Sequence, residues 1–480
     1  MIRKVEKAKV EYGDFQTPLV LAEKVCKKLI ELGVNPDIIV EPTCGLGNFI
    51  EAASNSFPSA NKILGIEINS NYLDAIEKST KFLYDDRIEI RCKDFFYLDW
   101  SSLIGSSNKE VLVIGNFPWV TNSQQGSIDS ANLPTKTNFQ NHNGLDAITG
   151  KSNFDISEWM LIQVVKFLQK RDGYLAMLCK TSVSRKILGY IHSQKLNLAY
   201  AATYKIDTQK YFNVNVDACL FFCKFDSNVQ SYFCDVFDNL ETSKFYRIGY
   251  WNTILVKDLV TFEKLENLYD SKSELKWRSG IKHDCASVME LRRIDNTLIN
   301  GLGEIVDIEE TYVFPLLKGS YVAQNQTKVT DRYILVTQGW VGEPTENIRN
   351  IAPKTWNYLE KHEKLLDKRK SKIYQNNPKF SIFGVGSYTF TPWKIAICGL
   401  YKKLNFRLVG KISDKPIIFD DTVYFLSFDD ATLASKYFEL LTSNLAKDFY
   451  SSLIFWDEKR PIKSGVLNSL NLKALADFLF

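Results

Sequence analysis

The chain is 480 residues long, 45% hydrophobic and 24% charged; this is an ordinary soluble globular composition, and the length exceeds one hydrophobic core, so two domains are expected. A formal net charge of only +4 does not by itself argue for a polyanion partner, while nine cysteines without a C-x-x-C pair and only four histidines exclude a zinc-ligand set, leave no metal expected, and suit a reducing cytoplasm without structural disulfides. No run of about 18 apolar residues occurs, and the opening stretch MIRKVEKAKVEYGD lacks the apolar core of a signal peptide, so neither a membrane helix nor secretion is expected.

Strand and helix signals alternate through the first half. Thr17 is a candidate N-cap, with Pro18 at the first position of an amphipathic helix over 19–32. Apolar, β-rich runs follow at 37–41, 62–66, 88–92, 111–115, 173–179, 199–204 and 217–224. Cys219 and Cys223 lie in the last of these and read as core. A helix is expected over 155–170, with Asp155 and Glu158 at capping-box spacing. Such alternation predicts an α/β domain with a mainly parallel sheet, in which ligands sit beyond the carboxyl ends of the strands. One segment stands apart: 17 of the 34 residues over 121–154 are Asn, Ser, Thr or Gly, a length and composition typical of a functional or disordered loop. Beyond about residue 230 the pattern becomes α+β, with helices expected over 258–269 and 355–373 and strands over 333–337, 393–398 and 416–419.

The residues after each early strand carry the chemistry. Glu41-Pro42-Thr43-Cys44-Gly45-Leu46-Gly47 closes the first strand, and its glycines permit a tight turn with close backbone approach to a ligand. The turn differs from the dinucleotide pattern G-x-G-x-x-G. Glu67 ends the second strand about 20 residues further on, placed to accept hydrogen bonds from two ribose hydroxyls. Asp94 follows the third strand and suits an adenine amino group. The fourth strand runs into Asn116-Phe117-Pro118-Trp119. This tetrapeptide resembles that of the amino-methyltransferases of DNA, which implies as target an exocyclic amino nitrogen of a base, a poor nucleophile because its lone pair is delocalised into the ring. Acceptors on its hydrogens, here the Asn116 side chain and the Phe117 carbonyl, favour a more tetrahedral nitrogen, a preference that grows in the transition state. Trp119 is placed to stack on the base.

Taken in order, Phe15-Gln16-Thr17-Pro18, Glu41-Pro42-x-Cys44-Gly45-x-Gly47, Glu67, Asp94 and Asn116-x-Pro118-Trp119 resemble the gamma-class amino-methyltransferases of DNA. The departure is Phe117, where that family usually has proline, which loosens the backbone restraint. The resemblance implies a Rossmann-like class I fold with a seven-stranded, mostly parallel sheet over 1–230 and a C-terminal α+β target-recognition domain over 231–480. It implies S-adenosylmethionine as cofactor, held by Thr17, Pro18, Glu41, Pro42, Cys44, Gly45, Gly47, Glu67, Ile68, Asp94, Phe95 and Asn116. It further implies methylation of adenine N6 in double-stranded DNA, with the base flipped out of the stack and held by Trp119 and by Phe212, for which Tyr211 is a rival. The loop over 121–154, with apolar tips Leu133, Phe139 and Leu145, would order on DNA. The expected setting is a prokaryotic cytoplasm, with the chain a monomer in a restriction-modification system and any companion endonuclease a separate polypeptide.

The second half adds a charge argument. Residues 270–412 hold 23 Lys and Arg against 15 Asp and Glu, as expected of a surface that tracks phosphates. Arg278, Lys282 and Lys394 are the candidate DNA contacts; the run over 368–372 reads equally as a solvated helix face. The glycines of Phe383-Gly384-Val385-Gly386 are assigned a fold role. Rival readings are an N4-cytosine methyltransferase with the same cofactor fold, an RNA adenine or protein-glutamine methyltransferase, and a binding module that has lost activity; the intact Asn116, Pro118 and Trp119 argue against the last.

Overall fold

A computed structural model of the chain describes residues 15–79, 82, 85–105, 109–119, 155–169, 171–270, 275–328, 330–412 and 414–479. Two compact units emerge, Met1–Leu259 and Val260–Phe480.

The first unit is built on ten strands: β1 Ile38–Glu41, β2 Lys62–Glu67, β3 Ile88–Cys92, β4 Val111–Asn116, β5 Gly173–Lys180, β6 Tyr200–Ile206, β7 Ala218–Phe225, β8 Phe233–Phe237, β9 Phe245–Trp251 and β10 Ile254–Val256. They lie in the order β10-β9-β8-β6-β7-β5-β4-β1-β2-β3. Strands β1 to β5 are parallel to one another, and β7 runs antiparallel between β5 and β6. The expected seven strands are therefore the core of a larger sheet. Strand β8 pairs parallel to β6, and β9 and β10 add antiparallel ribbons beyond it. These strands carry the first unit past residue 230, so the unit boundary falls at 259/260 instead. Pairing covers the backbone edge that β6 would otherwise expose. It is reinforced by Tyr204 stacked on Phe237 at 4.6 Å and by the Arg247–Asp235 ion pair at 2.7 Å.

Continuous apolar runs suit strands covered on both faces; Val111 to Ile114 of β4 are wholly buried. Ile39, Leu112, Ile114, Ala176 and Leu178 pack with Leu21 and Val25 of α1 (Leu19–Glu31) and with Phe49 and Ala53 of α2 (Asn48–Ser56). Helices α3 (Ile156–Leu168) and α4 (Thr181–Ser193) pack on each other and on β5. Two caps differ from expectation. Pro18 occupies the N-cap of α1, and Thr17 is freed to meet Asn116. Asp155 caps α3 through the Ser157 amide, but Glu158 pairs with Lys186 of α4 instead of closing a capping box.

The second unit holds two sheets. One has four strands, ordered β11 (Arg278–Ser279), β20 (Val423–Phe428), β17 (Trp393–Cys398) and β18 (Arg407–Val409). The other has six: β14 (Ile305–Val306), β13 (Thr297–Asn300), β12 (Glu290–Ile294), β16 (Arg332–Leu335), β15 (Val313–Leu317) and β19 (Ile418–Phe419). The helix expected over 355–373 is two helices, α5 (Pro353–Lys361) and α6 (Glu363–Asp367), broken at His362, where the backbone turns to φ −105°. The one expected over 258–269 shortens to Leu259–Glu263 and a 3-10 turn at Glu266–Leu268. No described helix is long and apolar enough to cross a membrane.

Candidate active site

A cavity opens beyond the carboxyl ends of β1 to β4, where a doubly wound sheet presents its loops. Of the residues expected to hold a cofactor, Thr17, Glu41, Pro42, Cys44, Gly45, Glu67, Ile68, Asp94, Phe95 and Asn116 all line it. Pro18 and Gly47 are not in the lining. Gly47 serves the turn itself: it takes φ +78° as the cap of α2, and a Cβ there would stand 2.8 Å from the Phe82 ring. At Gly45, φ is +52° and a Cβ would fall 2.4 Å from Gln16 Oε1. That same oxygen accepts the Leu46 amide at 3.1 Å. Only glycine satisfies both the left-handed backbone and the close approach.

Glu67 does more than wait for a ligand. Its carboxylate accepts the amides of Gly45 at 2.8 Å, Ile68 at 2.9 Å and Asn69 at 2.7 Å. It thereby ties the β1 turn to the end of β2. Asp94 uses one oxygen to accept the Phe96 amide at 2.9 Å. Glu41 is 3% exposed, and its Oε2 has no hydrogen-bond partner among the described residues. Burial pushes this carboxyl well above the usual carboxylate range, the nearby Glu67 charge adding to the effect and the Ile50 amide opposing it.

The tetrapeptide begins at the last residue of β4. The Asn116 amide nitrogen donates to the Phe15 carbonyl at 3.2 Å and to Thr17 Oγ1 at 3.3 Å. Its Oδ1 is buried without a partner among the described residues, while the residue lines the cavity. The two acceptors fix which way the amide faces. Pro118 also lines the cavity. Phe117 is 1% exposed and packs edge-on against Phe95 at 5.2 Å, so apolar contact supplies a restraint in place of the usual proline. Trp119 lies outside the lining, 5% exposed, in an aromatic cluster with Phe15 at 5.6 Å and Phe212 at 5.3 Å. The fold brings Phe212 into ring contact with Trp119, the residue with which the resemblance pairs it. Tyr211 packs on the same core without a ring contact to Trp119.

Several lining residues escaped the sequence reading. Asn48, Asn69, Tyr72, Lys93, Phe96, Ile156 and Met160 are among them. Asn48 donates to the Thr17 carbonyl at 2.8 Å, and its place just after the glycine turn was the available signal. Ile156 and Met160 share a helical face, but their sequence distance from the motifs hid which cavity that face meets. Lys180, the last residue of β5, was missed as well. It donates to the Trp119 carbonyl at 3.2 Å and to Asp155 Oδ2 at 2.7 Å. One ammonium therefore ties the end of the tetrapeptide to the cap of α3, whose first turns form part of the wall. The proposed loop tips Leu133, Phe139 and Leu145 lie outside the described residues.

In the second unit, Arg278 is exposed with its guanidinium 5.1 Å from the Tyr388 ring centre, and Lys282 is partly exposed beside Asp284 at 3.5 Å. Both border one cleft. Lys394 is a correction: expected to face DNA, it is 2% exposed inside β17 and donates to the carbonyls of Thr391 at 3.1 Å and Ile417 at 2.7 Å. Burial draws its ammonium down to about 7. Strand β17 is buried on both faces from Lys394 to Cys398, so residue 394 is inside whichever way it points. Arg369, in the basic run, is half-buried and holds the Ser381 carbonyl at 2.7 Å. Gly384, at φ +74°, lies against Gly280, where a Cβ would meet the Gly280 carbonyl at 2.5 Å, a fold role as expected.

A glycine turn over β1, an acid closing β2 and a cavity at the strand ends define a Rossmann-like class I methyltransferase fold. No protein-family profile matches the chain. Over 476 residues it is 76% identical to the type II methyltransferase M.NspV of Nostoc sp. (strain ATCC 29411 / PCC 7524), covering 99% of both chains. The chain belongs to this family, the type II methyltransferases of restriction-modification systems. The fold is shared with the type IIL restriction-modification enzyme MmeI, solved in complex with DNA: TM-score 0.56 at 13% identity, spanning 97% of this chain and 66% of that one. The methyl donor of such an enzyme is S-adenosylmethionine.

Proposed function

We propose that the chain methylates N6 of adenine at a specific site in double-stranded DNA, as the modification enzyme of a restriction-modification system. The observation that carries this reading is the Asn116 amide: its nitrogen is spent on Phe15 and Thr17, and its oxygen is buried, unpaired and beside the cavity. A buried acceptor without a donor is costly, on the order of 1–3 kcal/mol. An amino group from a substrate base repays that cost.

The cavity suits the donor. S-adenosylmethionine presents an ammonium, ribose hydroxyls and an adenine amino group, and it supplies a methyl group on a positively charged sulfur. Glu41, with an unpaired oxygen in a dry setting, would hold a cationic part. Glu67 would accept from ribose and Asp94 from the adenine amino group, each with acceptor capacity beyond its loop contacts. Thr17, Pro42, Cys44, Gly45, Ile68 and Phe95 shape the walls. The Asn116 oxygen and the Phe117 carbonyl together hold the hydrogens of the substrate amino group, steering its lone pair toward the methyl group. Positioning of this kind supplies a large share of the rate in a transfer between two bound partners.

Adenine inside a duplex is out of reach of in-line attack, so the base leaves the stack. Trp119 and Phe212, already in contact, are the aromatic surfaces for it, reached after a local shift of the cluster. The second unit recognises the target, with Arg278 and Lys282 on DNA. The enzyme works as a monomer in the prokaryotic cytoplasm, and cleavage belongs to a separate endonuclease. The test is direct: incubate the protein with labelled cofactor and duplex DNA, digest, and identify the modified nucleoside. N6-methyladenine is expected. N4-methylcytosine as the sole product replaces the adenine reading with the cytosine one.

A further inference from the structure

The cleft in the second unit has a charge arrangement that a phosphate seat does not explain. Arg278, Lys282 and Arg460 border it, with Tyr388 as an aromatic wall, and so does Asp421. Three cations alone would suit a DNA strand's backbone. A carboxylate among them repels phosphate. Asp421 is not there to satisfy its own turn, because its neighbour does that work: the partly buried Asp420 accepts the Thr422 amide and hydroxyl. Asp421 stands 3.8 Å from Arg460, and the two side chains are 44% and 36% exposed. At that separation and exposure they attract weakly and are not hydrogen-bonded, so each keeps its capacity for a ligand.

Side by side, a guanidinium fork and a carboxylate match one edge in DNA. In the major groove guanine offers two acceptors, O6 and N7, to arginine, and its paired cytosine offers an N4 donor to aspartate. O6 and N4 are themselves hydrogen-bonded, about 3 Å apart, so their two protein partners must be neighbours. Arg278 is different: among the described residues it has no carboxylate partner and is held over Tyr388. It and Lys282 suit the flanking phosphates.

We propose that Arg460 and Asp421 read one G·C base pair of the recognition sequence, Arg460 on guanine and Asp421 on cytosine; this rests on the DNA reading above. The test uses the full chain, S-adenosylmethionine and a pool of random-sequence duplexes, with methylated positions mapped by methylation-sensitive sequencing. Wild type should select a sequence containing an obligatory G·C pair. Asp421→Asn and Arg460→Ala should each relax discrimination at that one position by about 10- to 100-fold and leave the other positions sharp. Arg460→Lys, which keeps the charge but loses the fork, should relax the same position. Arg278→Ala should weaken methylation of all sequences alike. Relaxation at one shared position supports the proposal even where a variant is less stable, since the readout is a ratio within one sample. An unchanged sequence preference at a uniformly lower rate, or a wild-type target without a G·C pair, overturns it. A wild-type protein that methylates no duplex at all instead overturns the DNA reading beneath it.

Discussion

Asn116 and Lys394 are both polar residues in strands, and both were assigned a functional contact from sequence, yet the two units treat them in opposite ways. Asn116 sits at the last position of β4, where the ladder ends and the loops begin. Its nitrogen is anchored and its oxygen is left over. Lys394 sits one residue into β17, inside a six-residue pairing with β20, and its ammonium is consumed by two carbonyls. Strand ends of a doubly wound sheet leave polar atoms for a ligand, whereas a strand interior makes every polar atom answer to the fold. Residue type carries less information than position along the strand.

The largest break in that comparison comes from Asn116→Ala. Removing a preorganised contact that strengthens in the transition state should slow methyl transfer about 100- to 1000-fold. Cofactor affinity should change less than about threefold, since the partner proposed for the unpaired oxygen is the substrate amino group and not the cofactor. Single-turnover transfer and equilibrium cofactor binding separate the two effects. Near-wild-type transfer in this variant would sink the assigned chemistry.

Lys180→Met comes next. It leaves Asp155, 5% exposed, without its cation, and lets go of the Trp119 carbonyl. An uncompensated buried carboxylate costs several kcal/mol, about 3–5, so the thermal midpoint should drop clearly. A merely structural residue would stop there. A residue that positions the tetrapeptide should also lower kcat about tenfold with the KM for cofactor unchanged. Lys180→Arg should restore part of kcat. A loss of stability with kcat intact assigns Lys180 to the fold alone.

These residues also mark where the sequence was readable. Seven strands of the first sheet and the order of its motifs were legible, because buried parallel strands are continuous apolar runs and a glycine turn has few alternatives. Strands β8 to β10 were not, since they are short and partly exposed and carry neither a continuous apolar run nor a regular alternation. Gly45, Glu67, Asp94 and Asn116 could be placed because each ends a strand or lies within four residues of a strand end. Lys180 obeys the same rule and was still missed, for its meaning lies in two partners distant in sequence. Lys394 misled because basic charge in a basic region reads as surface, whereas β17 is covered on both faces from residue 394 onward.

Glu41→Gln sharpens the comparison through pH. Burial raises the Glu41 carboxyl well above its ordinary range, so the empty folded protein holds a proton that the unfolded chain has lost above that range. The residue's contribution to stability therefore falls as pH rises, while a bound cation favours the charged form. Cofactor affinity should increase as pH rises above the ordinary carboxylate range, and the Gln variant should lose that slope. At neutral pH it should bind about 10-fold more weakly, the loss of one charge-assisted contact. Titration calorimetry at several pH values reads both. A slope that survives in the variant would move the cationic partner elsewhere.

The smallest effect on methylation belongs to Lys394→Met. Between about 7, where burial holds the folded amine, and its ordinary 10.5, the unfolded chain carries a proton that the folded chain does not. Wild-type stability should therefore rise with pH across that window and be lost as pH falls through it. Methionine fills similar space without a charge, so the pH slope of urea unfolding should flatten. The Thr391 and Ile417 carbonyls then lose their donor, and the gain at low pH is partly offset. DNA affinity should shift less than about twofold, with no change in its salt dependence, because the ammonium never reaches a phosphate. A salt slope reduced by about one unit would mean that Lys394 does neutralise a phosphate, and that strand position is a weaker guide than the contrast with Asn116 holds.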